Sequence, residues 1–142
     1  MGKDTKRVIG RVEKLDIPGL QLSDLEAKAD TGAYTSSLHC SVIRTYRENK
    51  KLWVEFVPLD ESYTQYTGEP VQRKAHRVKR VKSSNGQVDE RAIIQEQVHF
   101  AGDVYTMEFT LADRTDMRYP VLLGRKFLRK FMVDPERKFL ES

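Results

Sequence analysis

A single aspartate in a tight-turn sequence is the residue best suited to acid–base chemistry in this chain. Asp30 ends a segment in which apolar residues alternate with charged ones. Asp30 is also the first residue of a loop whose other residues are Thr31, Gly32 and Ala33. An ordinary turn would use the same residue types, so the tripeptide alone is a weak signal. A second motif adds weight, because an apolar segment ends in Gly124-Arg125 before an amphipathic stretch.

A basic segment is the next candidate for function. Residues 73–82 hold six Lys or Arg residues in ten. Such a segment could bind an anionic partner, either a nucleic acid or an acidic peptide tail. It is equally typical of an edge strand, where lysines oppose aggregation, and we favour that interpretation. The net charge of +4 permits an acidic partner without requiring one. Nucleic acid is therefore not an expected partner.

The sequence lacks the patterns of a metal site and of a nucleotide-binding loop. The three histidines, His39, His76 and His99, do not have the spacing of metal ligands. His39 and Cys40 are adjacent, so in a strand they point to opposite faces. Cys40 is the sole cysteine, and we expect it to be a small buried apolar residue. A glycine-rich phosphate loop is absent as well. We expect no metal and no cofactor.

The hydrophobic pattern predicts one mainly β domain over residues 1–142, with its core at about 8–133. Period-two alternation and turn residues predict about eight strands, which favours a small barrel or sandwich. The predicted strands are at 8–12, 25–30, 38–46, 52–57, 77–82, 87–100, 104–111 and 119–123. Turns are predicted at 16–20, 48–51 and 101–103, a loop at 58–70, and a helix at 125–132.

The two motifs together resemble those of the retropepsins, the aspartic proteases of retroviruses. Residues 30–33 resemble their catalytic loop, and residues 122–128 resemble the apolar-Gly-Arg segment before their single helix. The wider pattern is similar to a bacterial family of small retropepsin-like proteins, labelled ATP-dependent zinc proteases and found beside RimK-type glutamate ligases. The resemblance covers roughly residues 9–131. It implies a small closed acid-protease barrel, mainly β, with one short C-terminal helix.

The resemblance also implies an activity, the hydrolysis of peptide or isopeptide bonds with Asp30 as the catalytic carboxylate. Two neighbouring carboxylates that share a proton cannot both ionise cheaply, so one acts as base on a water and the other as acid. The sequence contains one such loop. A homodimer would then supply the second carboxylate, Asp30 of the partner subunit.

A hairpin in the middle of the chain matches, by its order, the flap that closes over substrate in retropepsins. Asn-Gly between two β-like segments is the strongest short-range hairpin signal. The candidate flap residues are Ser83, Ser84, Asn85 and Gly86. Ser84 and Gly86 would contact the substrate backbone.

Two residues depart from the retropepsin pattern. Tyr34 occupies the position of an acid that usually pairs with the arginine before the helix. Arg125 must then find another partner, with Asp113 and Asp116 as candidates, or serve a different role. Lys28 precedes Asp30 by two residues and shares its strand face, where an ammonium would favour the ionised carboxylate.

The chain carries no apolar segment of about 18 residues and no apolar stretch near its start. We therefore expect a cytoplasmic protein without a membrane partner. The expected partners are a peptide or protein substrate, a second copy of the chain and a RimK-type glutamate ligase. The basic segment and these ligase neighbours suggest an acidic or polyglutamate substrate. The alternative is a non-catalytic module that binds a peptide or partner on the same fold.

Overall fold

The fold is built almost entirely from β-strands, in a computed structural model that describes residues 5–82, 84–113 and 118–141. The strands are β1 (Arg7–Gly10), β2 (Val12–Ile17), β3 (Leu22–Ala29), β4 (Ser36–Glu48), β5 (Lys51–Pro58), β6 (Val71–Lys74), β7 (Arg77–Lys82), β8 (Val88–Phe100), β9 (Asp103–Ala112), β10 (Val121–Leu123) and β11 (Phe131–Asp134). A 3-10 turn spans Pro18–Leu20, and the α-helix α1 spans Arg125–Leu128. No helix in these described ranges is long and apolar enough to cross a bilayer.

Six strands close into a barrel in the order β10-β3-β2-β8-β9-β4, with β4 pairing back to β10. The short β10 runs parallel to β3 and antiparallel to β4, so it fills the gap between them. β5 and β6 extend the sheet beyond β4, while β7 pairs with β8 at an edge. β1 and β11 form a separate parallel pair. The expected closed barrel with one short helix is confirmed.

The core forms because apolar residues occupy the inward face of each strand. In β3, Leu25 and Ala27 are buried while Glu26 and Lys28 are exposed, as the period-two pattern predicts. An aromatic cluster then joins the helix to the barrel. Its rings pack edge to face or tilted, with centroids 5.3–6.4 Å apart, and belong to Phe100, Tyr105, Phe127 and Phe131. This packing fixes α1 beside the end of β10.

Three local predictions need correction. The helix predicted for 125–132 ends at Leu128, because Phe131 pairs with Arg7 and inserts its ring into the aromatic cluster. The predicted first strand divides at Arg11, whose amide bonds the carbonyl of Arg137 at 2.7 Å. The short β6 was not predicted, since it gains its order from pairing with β5.

A buried carboxylate ties the C-terminal segment to the barrel. Glu13 is fully buried and accepts the backbone N–H groups of Gly10 at 2.7 Å, Leu140 at 2.9 Å and Glu141 at 3.1 Å. Hydrogen bonds from several amides offset the cost of burying such a group. Because β2 pairs with β3, this anchor supports the strand that leads into Asp30.

Candidate active site

Two neighbouring strands position Asp30. The residue follows β3 directly, and its amide donates to the carbonyl of Leu123 at 2.9 Å. Leu123 lies beside Ala29 in the parallel register of β10 and β3. β10 is buried at this point, and β3 pairs with β10 on one side and with β2 on the other, so the backbone that enters the loop is held on two sides. The carboxylate of Asp30 is half-buried at the end of the barrel strand.

The loop itself turns so that its own backbone supports the carboxylate. The Gly32 amide donates to Oδ1 of Asp30 at 3.0 Å, and the Ala33 amide donates to the Asp30 carbonyl at 3.2 Å. A Cβ on Gly32 would lie 3.2 Å from Oδ1, a tight contact. Thr31 and Gly32 are exposed, so the loop has an open face.

The segment that begins with the Gly124-Arg125 motif forms backbone hydrogen bonds to the end of the same loop. The amide of Arg125 bonds the Ala33 carbonyl at 2.8 Å, and that of Lys126 bonds the Tyr34 carbonyl at 2.9 Å. A Cβ on Gly124 would lie 2.5 Å from the Tyr34 oxygen. The motif therefore needs glycine because the two backbones touch. The structure thus brings residues 30–33 together with Gly124 and Arg125.

Two contacts to this loop had no signal in the sequence. The hydroxyl of Ser36 accepts the Gly124 amide at 3.0 Å, and both residues are buried. Tyr34 places its ring 5.8 Å from the guanidinium carbon of Arg125, the geometry of a cation–π contact. Arg125 also donates to the Thr31 carbonyl at 2.9 Å. Tyr34 thus supplies the partner that an acid would otherwise provide.

Of the two acidic candidates for Arg125, only Asp113 lies within the described residues, and it does not take that role. Asp113 lies 4.0 Å from the ring of His39, and Asp116 is outside the described ranges. Lys28 is exposed and holds its ammonium 5.9 Å from the ring centroid of Tyr119. The Lys28 charge therefore has an aromatic neighbour of its own at the strand end.

The predicted hairpin forms between β7 and β8, with Lys82 opposite Val88. At its tip Gly86 has φ +88°, a left-handed conformation that favours glycine. The Asn85 side chain accepts the amide of Gln87 at 3.1 Å, as in an Asx turn. Ser84, Asn85 and Gly86 are exposed, whereas Ser83 lies outside the described residues. The hairpin therefore forms as the sequence indicated; its role as a flap that contacts substrate stays a prediction.

A groove of about 830 Å³ runs between the β4–β5 hairpin and strands β8 and β9. Its lining combines apolar side chains with charged ones and includes Ile43, Val54, Lys79, Glu90 and Leu111. An ion pair of 2.6 Å from Arg47 to Glu90 connects the two hairpins across it. The floor near Leu111 lies beside β4, which starts shortly after the Asp30 loop. No pattern in the sequence predicted this groove.

The remaining reactive side chains are held in structural contacts. His39 is buried and its Nε2 lies 2.5 Å from Asp60 Oδ2. Hydrogen bonds from Ser62, and then from His39, hold the pKa of Asp60 below its usual range. Burial raises the pKa of the Cys40 thiol, which keeps it protonated. Within the described part of the chain, no three His, Cys, Asp or Glu side chains converge as metal ligands.

The barrel, the Asp-Thr-Gly loop and the apolar-Gly-Arg segment that closes on it define a protein of the retropepsin-like class. Over residues 8–142 the sequence matches the RimB-like family, described as "Retropepsin-like aspartic endopeptidase RimB". The chain belongs to this family.

Known relatives add both sequence and structural matches. The chain is 33% identical over 142 residues to a "Probable alpha-L-glutamate ligase" of Shewanella halifaxensis, covering 96% of this chain and 30% of that protein. A protein of the same name from Parasynechococcus marenigrum is 33% identical over 136 residues, covering 92% and 28%. The chain thus spans less than a third of these curated relatives. The crystal structure of Lpg0085 from Legionella pneumophila, titled as of unknown function, aligns with TM-score 0.73 and 25% identity over 97% of this chain and 100% of that one.

Proposed function

We propose that this chain is an aspartic endopeptidase whose catalytic carboxylate is Asp30. The observation that carries the proposal is the Asp30 loop, in which a backbone amide holds Oδ1 while the Gly124-Arg125 motif fixes the loop from behind. Thr31, Gly32 and Ala33 are the loop supports, and Gly124 and Arg125 are structural. The family of the chain agrees with this chemistry.

The reaction requires a second carboxylate, because one group must take a proton as the other gives one. Asp-Thr-Gly occurs once in the chain, so the second group is Asp30 of the partner subunit in a homodimer. The ionised carboxylate takes a proton from water, whose oxygen bonds the carbonyl carbon of the scissile bond. The protonated carboxyl stabilises the oxygen of the tetrahedral intermediate. The C–N bond then breaks, and the leaving nitrogen receives the proton that the first carboxylate took from water.

The groove beside the β4–β5 hairpin supplies the place for an extended substrate. Its mixture of apolar and charged side chains suits a peptide, and the β7–β8 hairpin with residues 83–86 would close over it. The groove itself holds carboxylates as well as cations, so any preference for acidic residues in that peptide rests on the exposed lysines and arginines of β7 beside it. The same two carboxylates could hydrolyse an isopeptide bond, because it is also an amide.

The decisive experiment compares wild type, Asp30→Asn and Asp24→Asn on a peptide library from pH 4 to 8, with mass-spectrometric detection of products. Asp24 is an exposed aspartate with φ +51°, a conformation that asparagine tolerates, so its variant is the matched control. We expect cleavage by wild type and by the control, and a loss of at least about a hundredfold in Asp30→Asn. Cleavage that survives in Asp30→Asn would refute the aspartic mechanism.

A second function is favoured by the relatives. The chain matches less than a third of proteins named probable alpha-L-glutamate ligases, as a module within a larger protein would. In this case the domain binds a glutamate ligase or its peptide substrate without cutting it, by strand addition or in the groove. A purified RimK-type ligase that binds wild type and Asp30→Asn equally, with no cleavage of any peptide by wild type, would favour this module over the peptidase.

A further inference from the structure

A small cavity of about 200 Å³ lies behind the Asp30 loop, between α1 and the middle of β9. Its lining includes Ser36 and Lys126, which support the loop, but none of the residues 30–34 and not Arg125, so it adjoins the candidate active site without sharing its carboxylate. Met107 and Phe127 are buried and line its apolar side. The polar side is formed by His76, Gln95 and Thr35. The cavity is therefore small and mainly polar, with a smaller apolar patch formed by Met107 and Phe127.

Positive charge dominates the rim of this cavity. Lys126, Arg129 and Lys130 line it from the helix and the residues just after it, and they face a single carboxylate, Glu108. Glu108 is held by Arg77, with bonds of 2.9 and 2.8 Å, and by Lys126 at 2.8 Å. Glu108 is therefore already paired with two cations, and the lining of the cavity keeps a net positive charge.

Two of these cations keep their charge available for a ligand. Arg129 and Lys130 are exposed, and no carboxylate of the described residues lies within ion-pair distance of either. The Lys130 ammonium sits 5.9 Å from the centroid of the Phe127 ring, at the border between the apolar side and the rim. A charged group that entered here would meet two cations, while its carbon stem would contact Met107 and Phe127.

We propose that this cavity binds a carboxylate carried on a short aliphatic stem, as in a dicarboxylate or an acidic side chain. Arg129 and Lys130 bind the carboxylate oxygens, and His76 and Gln95 supply further polar contacts from the opposite wall. Met107 and Phe127 favour an aliphatic stem over a bare inorganic anion, because a stem buries apolar surface that phosphate lacks. The inference does not depend on peptidase activity.

The test is an NMR titration of the ¹⁵N-labelled full chain with glutarate and, separately, with inorganic phosphate at low salt. Wild type is compared with Arg129→Gln/Lys130→Gln and with Lys51→Gln/Lys138→Gln, which removes the same charge from exposed positions outside the cavity and outside β7. Amide spectra also report whether each variant is folded.

We expect glutarate to shift amides of residues 106–108 and 126–130, and to bind at least tenfold more weakly to Arg129→Gln/Lys130→Gln than to Lys51→Gln/Lys138→Gln. Phosphate should bind more weakly than glutarate. Equal loss in both variants, shifts scattered over the surface, no shifts, or tighter binding of phosphate would each overturn the proposal.

Discussion

The conformation of the Asp30 loop depends on two glycines that leave little or no space for a side chain and on one contact between Tyr34 and Arg125. Gly124 has no room for a Cβ, and Gly32 has little. Tyr34 replaces an ion pair with a ring contact to Arg125. A guanidinium stacked on an aromatic ring keeps its planar donors free for other bonds, and here one of them reaches the Thr31 carbonyl. Arg125 therefore holds the loop through the Thr31 carbonyl and the Tyr34 ring.

The Tyr34–Arg125 contact predicts a measurable coupling. Tyr34→Leu should lower the free energy of unfolding by about 0.5–1 kcal/mol, because Tyr34 is half-exposed and exposed cation–π contacts have that strength. Tyr34→Asp should recover part of the loss through an ion pair with Arg125. Urea unfolding of both variants, alone and combined with Arg125→Gln, measures this. An identical effect of Tyr34→Leu in both backgrounds would show that the two side chains are not coupled.

The backbone contact at Gly124 predicts a larger effect. Gly124→Ala should cost on the order of 3 kcal/mol or prevent folding, because the new methyl group would overlap the Tyr34 carbonyl and neither backbone can move easily. Gly86→Ala is the control, since its site has open space and only the left-handed φ opposes alanine, at about 1 kcal/mol. Urea unfolding compares the two. A cost at Gly124 no greater than at Gly86 would contradict the close approach.

The sequence indicated which motifs meet at the candidate site, but it did not indicate the individual contacts that hold them together. Residues 30–33, Gly124 and Arg125 come together as the two motifs indicated. The roles of Tyr34 and Ser36 were not predictable, because a ring contact and a hydroxyl–amide bond across the fold leave no local pattern. Long-range contacts of this kind depend on strand register, which the local sequence does not encode.

Elements are joined around Glu108, where one carboxylate connects three parts of the fold. It lies on β9, bonds Arg77 on β7 and Lys126 on α1, and has only 8% of its side chain exposed. Hydrogen bonds from Arg77, followed by those from Lys126 and the attraction of both charges, outweigh burial and hold the pKa of Glu108 at about 2. The helix and the β7–β8 hairpin are therefore tied to the barrel by ionised Glu108.

This arrangement predicts how stability depends on pH. The folded-state pKa lies below the ordinary value of 4.5, so the stabilisation is complete above about pH 4.5 and is lost as the pH falls toward 2. Glu108→Gln should lower stability by about 2 kcal/mol at pH 7, and the difference from wild type should shrink below pH 4.5. Urea unfolding from pH 7 to 2.5 measures the difference.

The control for this series is Glu90→Gln, which removes a carboxylate that pairs with exposed Arg47. Surface pairs contribute at most about 1 kcal/mol, so the control should stay close to wild type at every pH. A constant gap between Glu108→Gln and wild type over the whole range would refute the assigned titration.

Strands with strict alternation were predictable, and elements defined by pairing were not. β3, β5 and the β7–β8 hairpin appear where the pattern and the Asn-Gly turn indicated. The helix was predicted too long because Phe127, Leu128 and Phe131 have helical spacing. Parallel pairing with β1 and aromatic packing extend the chain at Phe131 instead. β6 has no alternation of its own and depends on β5.

For the whole molecule, the main consequence of one Asp-Thr-Gly loop per chain is that a two-carboxylate site needs two chains. The barrel is closed and complete within one chain, so folding does not require a partner, whereas the proposed chemistry does. Folding and activity should therefore depend differently on protein concentration. Stability should be retained at dilutions at which cleavage disappears.

Dilution and mixing together test this dependence. Below the dimer dissociation constant, the cleavage rate per chain should fall in proportion to concentration, because dimers form in a second-order step. At concentrations where dimers predominate, an equal amount of Asp30→Asn should reduce cleavage by wild type to about half, since random pairing places half of the wild-type chains in mixed dimers that hold one carboxylate. Asp24→Asn, added in the same way, should not suppress it. Sedimentation velocity at the same concentrations reports the dimer directly. A rate per chain that stays constant on dilution, from a species that sediments as a monomer, would place both acid–base groups within one chain and refute the shared site.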